Sequence, residues 1–63
     1  MIKQYCKVRL TSSQYLNEGT PSGSEGYIID VYENAHYDVE FSNSYGSTIA
    51  ILTLTEGEFE EVE

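Results

Sequence analysis

GYIIDVYENAHYDVEFSNSYGSTIAILT, residues 26–53, is the stretch whose reading decides the fold: it predicts three strands joined by two tight turns. His36 to Ser42 is the clearest strand. Tyr37, Val39 and Phe41 alternate with His36, Asp38, Glu40 and Ser42, so one face is apolar and the other acidic and polar. That pattern belongs to an antiparallel strand buried on one side and wet on the other. Before it, Tyr27 to Tyr32 is richer in apolar residues. Ile28, Ile29 and Val31 cannot share one face by simple alternation. Either this strand is covered on both faces, or a bulge turns two neighbours inward. Gly26 suits a bend or a close backbone contact.

The connections are short. Glu33-Asn34-Ala35 fits a hairpin turn, since asparagine tolerates left-handed backbone angles. Asn43 to Gly46 fits the next turn, with Gly46 free to adopt a positive φ. Ser47 to Thr53 is the third strand. Thr48, Ala50, Leu52 and Leu54 lie on one side and Ile49, Ile51 and Thr53 on the other. Being apolar on both, it is expected to be central or covered at one end.

Outside the meander, Gln4 to Leu10 alternates Cys6, Val8 and Leu10 with Tyr5, Lys7 and Arg9, and reads as the first strand with its polar face outward. Its cations would complement an acidic neighbouring strand. Thr11 to Glu25 is a long loop holding the only proline and two glycines. Its two large apolar residues, Tyr15 and Leu16, are expected to cap one end of the fold, as compact loops pack on their own side chains. Thr55 to Glu58 reads as a turn of 3₁₀ helix. Phe59 to Val62 follows as a short last strand, with Phe59 in the core and Glu60, Glu61 and Glu63 along a solvated edge. Five strands, a long loop after the first and a 3₁₀-like turn before the last predict an all-β, five-stranded SH3-like barrel, one domain spanning residues 1–63.

The chain has 63 residues and one cysteine. So small a core supplies about 3–5 kcal/mol of net stability, with no internal disulfide to add to it. The charge is −8, and its distribution is lopsided. Lys3, Lys7 and Arg9 are the only basic residues, and eleven acids follow Leu10. Such a surface repels nucleic acid and anionic membranes, whose recognition depends on cationic side chains. It attracts cationic proteins. No apolar segment resembles a signal peptide or a membrane span, and a lone cysteine without an export signal predicts the cytoplasm.

No catalytic constellation stands out, and the chain is read as a non-enzyme without cofactor or metal. Asp38 and Glu40 project from one strand face about 7 Å apart. Such a carboxylate pair is ordinarily a solvated surface or a partner contact, since catalysis also needs a pocket and supporting groups. His36, the only histidine, lacks companions for a metal site and is expected to be exposed. Cys6 is expected to be a buried, inert thiol. Tyr32 and Tyr45 stand near turns, where tyrosine can serve as an interface anchor or simply as a strand former; Tyr27 is ambiguous.

Gly23-x-x-Gly26-x-Ile28-x-x-Val31, Tyr37-Asp38-Val39-Glu40-Phe41 and Gly46-x-Thr48-x-Ala50-x-Leu52-Thr53-Leu54 resemble a family of small bacterial proteins known only as a domain of unknown function, with an SH3-like barrel. The Gly-x-x-Gly-x-aliphatic opening is also similar to KOW-type ribosomal modules, but those are basic. Some members of the resembled family look like toxin-immunity proteins. The resemblance therefore implies a protein that binds and neutralises a basic toxin, such as a nuclease of a contact-dependent or secreted toxin system, by covering its substrate site. The partner-binding residues would be Asp30, Tyr32, Glu33, Asp38, Glu40 and Tyr45. The competing expectation is an adaptor module that binds a peptide or subunit through apolar and tyrosine side chains. The oligomeric state is left open.

Overall fold

The structure, a computed structural model, describes residues 4–62; Lys3 and Glu63, both given roles above, lie outside them. Five strands form one antiparallel sheet: β1 Lys7–Leu10, β2 Glu25–Tyr32, β3 His36–Ser42, β4 Thr48–Thr55 and β5 Phe59–Glu61. Their order across the sheet is β4-β3-β2-β1-β5. The alternation read from residues 36–42 is observed directly. Tyr37, Val39 and Phe41 are buried, and the intervening residues are half-buried or exposed. Every strand adds to one core, comprising Val8, Leu10, Ile28, Tyr37, Val39, Phe41, Leu52, Leu54 and Phe59. The sheet is thus coiled around its apolar face in a small barrel-like fold. Each of these side chains contributes about 1.5–3 kcal/mol of burial.

The crowded apolar sequence of β2 is resolved by a bulge. Pairing with β3 runs Ile28↔Val39, then Asp30↔Asp38 and Val31↔Tyr37, with the register shifted between Ile28 and Asp30. The extra residue, Ile29, lets Ile28 and Val31 fall on the same side although they are three apart. The bulge also explains why β1 starts at Lys7 instead of Gln4. Tyr5 adopts a left-handed φ of 68° and donates its N–H to the Ile28 carbonyl at 2.6 Å. The Gln4 side-chain amide donates to the Ile29 carbonyl at 2.8 Å. The segment before β1 thus satisfies the bulge's backbone groups instead of extending the ladder.

Gly26 makes the close contact expected of it: a Cβ there would lie 2.5 Å from the Glu40 carbonyl oxygen. In the first hairpin turn the left-handed residue is Ala35, φ 62°, and not Asn34. In the second, Gly46 takes the positive φ, and Asn43 Oδ1 accepts from the N–H groups of Tyr45 and Ser47.

Loop 11–24 folds back on itself. It holds a 3₁₀ turn, Leu16–Glu18, ended by Gly19 in the left-handed region. The fully buried Thr20 donates its hydroxyl to the Tyr15 carbonyl at 3.1 Å. Tyr15 packs on the core as expected and donates its hydroxyl to Glu58. Leu16 does not: it is exposed, since the single helical turn points it outward. The 3₁₀ turn Glu56–Glu58 is fixed by a capping box with Thr55, and Phe59 meets Tyr37 edge to face with ring centroids 5.4 Å apart. β4 departs from expectation. It lies at the edge of the sheet, where Ile49 and Ile51 stay exposed.

Candidate functional site

The outer side of the sheet is built from the residues that alternate with the core. Paired positions in an antiparallel sheet share a face, so register alone assembles three rows. One is Lys7, Tyr27, Glu40 and Ile51; the next Asp30, Asp38 and Thr53; the last Tyr32, His36 and Thr55. Four of the six predicted partner-binding residues, Asp30, Tyr32, Asp38 and Glu40, therefore share one face. Glu33 continues it at the exposed β2–β3 turn. Tyr45 is 91% exposed, but it sits on the β3–β4 turn, at the opposite end of β3. A seven-residue strand puts it about 20 Å from Tyr32, too far for both to anchor one small contact.

Asp38 is the most organised acid of the face. It accepts hydrogen bonds from the hydroxyls of Thr53 and Tyr32, each at 2.6 Å. Those donors, Thr53 first and Tyr32 second, outweigh partial burial and hold the carboxyl below its ordinary range. The same contact raises the Tyr32 hydroxyl pKa. Asp38 thus stays ionised although Asp30 faces it directly across the strands, an arrangement unfavourable for like charges. Asp30 accepts from the Val31 N–H at 2.9 Å, and Glu40 from the Thr48 hydroxyl at 2.9 Å.

The two described cations are engaged with other acids. Lys7 and Arg9 each lie 3.2 Å from Glu25, and Arg9 lies 2.9 Å from Glu60. Hydrogen bonds from Lys7, then Arg9, lower the Glu25 pKa. The expected pairing of first-strand cations with acidic neighbours is therefore present. Glu60 lies within that ladder, in place of a purely solvated edge. Among the described residues, no ion pair reaches Asp30, Glu33, Asp38 or Glu40.

Tyr27, which the sequence left ambiguous, belongs to the face. It is half exposed and borders a shallow groove of about 310 Å³ with Lys7, Glu25, Glu40 and residues 42–44. Ile51 stands on the other side of Glu40. Finding these two took the register between strands, which sets Tyr27 and Ile51 on either side of Glu40 on the outer face. His36 is half-buried instead of exposed, with Nδ1 3.0 Å from the Asn34 carbonyl. Cys6 is only partly buried; its Sγ lies 3.7 Å from Glu61 Oε2. Desolvation and then the Glu61 charge raise its pKa, which keeps the thiol protonated and unreactive. Among the described residues, no group of three or more His, Cys, Asp or Glu side chains could hold a metal, and no helix is long and apolar enough to cross a membrane.

No curated protein and no solved structure matches the chain. Residues 8–61, from the first core residue of β1 to the end of β5, match the family described as a domain of unknown function, DUF4926, and the chain belongs to that family.

Proposed function

We propose that the chain is a cytoplasmic, non-catalytic binding protein with an SH3-like barrel. In this reading it is an immunity protein whose acidic outer face covers the substrate site of a basic toxin domain, a nuclease. One observation carries the reading: Asp30, Asp38 and Glu40 on one sheet face, with Glu33 on the adjoining turn, have no ion pair among the described residues, while Lys7 and Arg9 are engaged with Glu25 and Glu60. A cationic partner would fill that gap, and its encounter would slow as salt rises.

The test is a pull-down from native cell lysate with the purified protein, washed at low and then high salt. Retention of one basic, toxin-like protein that elutes with salt is expected. Glu33→Lys together with Glu40→Lys should abolish it, and neither substitution disturbs the two hydrogen bonds on Asp38. A partner that binds equally well at high salt, or survives the double reversal, sinks the proposal. The second reading, an adaptor module, is favoured by Tyr27 and Ile51, exposed at 52% and 54% on the same face. It expects capture that is insensitive to salt and lost on Tyr27→Ala.

A further inference from the structure

The two edges of the sheet are guarded unequally. β5 is three residues long, and two of them are glutamates. β4 has eight residues, TIAILTLT, with no charge and no proline. Among the described residues, no backbone hydrogen bond links β4 to any strand but β3. Its outward-facing Ile51 is 54% exposed. A long, neutral, apolar edge without charge or proline is a template for further strand pairing.

We propose that β4 is a homodimerisation edge, pairing antiparallel with β4 of a second copy about a two-fold axis at Thr53. The occupant follows from charge. On a molecule carrying −8, β4 is a long surface that an identical copy can approach without placing acid against acid. Its alternation is also self-complementary. With the axis at Thr53, Thr53 meets Thr53, and Ile51 meets Thr55, on the outer face. These are favourable cross-strand pairs. The axis cannot sit nearer the start of β4, because loop 11–24 crowds that end. Ile49 Cγ2 lies 2.9 Å from where a Gly19 Cβ would be. The proposal does not depend on the immunity reading. Its salt dependence has the opposite sign, since salt screens the repulsion between two acidic copies.

Sedimentation of the whole chain at low and high salt tests it. A monomer–dimer equilibrium is expected, tightening on the order of tenfold as salt removes the repulsion. Ile51→Lys should leave a folded monomer, since this exposed side chain is outside the core. In a Cys6→Ser background, Thr53→Cys should form a disulfide-linked dimer on the order of ten times faster than Ser44→Cys. Opposed strand positions fall within disulfide reach, and Ser44 is an exposed turn position away from β4. A monomer at every concentration and salt overturns the proposal. So does a dimer indifferent to Ile51→Lys, or equal crosslinking at positions 53 and 44.

Discussion

Gly26 and Glu58 show how single positions support this fold. A Cβ at Gly26 would meet the Glu40 backbone oxygen at 2.5 Å and Phe41 Cδ1 at 2.9 Å. Backbone cannot move aside as a flexible side chain can, so Gly26→Ala should cost about 3 kcal/mol, the upper range for overpacking. That is most of the stability so small a domain has. Urea unfolding followed by circular dichroism should therefore find a variant with little stability left, its midpoint moved to low urea. Glu58 acts through charge. Burial would raise its pKa, but hydrogen bonds from the Tyr15 hydroxyl and from the Thr55 backbone and side chain outweigh burial, and His36 adds to them. The net shift is downward from 4.5. A carboxylate with a depressed folded pKa contributes stability that is present above its unfolded pKa and lost as pH falls through the folded value. The stability gap between the native chain and Glu58→Gln should thus be constant near neutrality and shrink below about pH 4.5. A gap that persists at pH 2 would show that Glu58 acts by packing alone.

Among the elements, the hairpins show where local preference and tertiary demand disagree. Ala35 holds φ 62° in the β2–β3 turn, a region where a Cβ is penalised and glycine is not. Ala35→Gly should therefore stabilise the protein by about 1 kcal/mol, read as a higher denaturant midpoint with unchanged slope. The ion ladder on β1 should matter less than its geometry suggests. Arg9 and its partners Glu25 and Glu60 are each roughly half exposed. Arg9→Gln should cost about 0.2–1 kcal/mol, the range for surface pairs, and urea titration would resolve it. A loss beyond 2 kcal/mol would mean that the ladder holds β5 in place.

For the whole molecule, charge is the dominant property. Eleven acids against three bases on 63 residues make the compact state repel itself. Salt should raise the melting temperature by about 5 °C between 0.02 and 0.3 M, equivalent to roughly 1 kcal/mol for a domain of this size. A calorimetric scan in each buffer checks this. The same salt should release a basic partner and strengthen the β4 dimer. Salt thus weakens capture while it strengthens folding and self-association, and protein concentration separates the last two.

By itself the sequence determined the strand count, the alternation of β3, the long loop, the 3₁₀ turn before β5 and the acidic outer face. Each of these is set by neighbours in the chain: a period of two, a turn residue, a run without lysine. Tyr37, Val39 and Phe41 needed only their spacing to be placed in the core. What depends on distant partners was decided by the tertiary structure. Whether Ile28, Ile29 and Val31 were covered twice or bulged depended on the register with β3. Where β4 lay depended on β1 pairing between β2 and β5, which left β4 at the other end of the sheet, with Ile51 and Tyr27 on its outer face. Asp38, Tyr32 and Thr53 come from three different strands, so no local pattern could announce that they share hydrogen bonds. Local chemistry selects elements because its interactions span a few residues; the sheet order selects the site because only pairing brings remote side chains together.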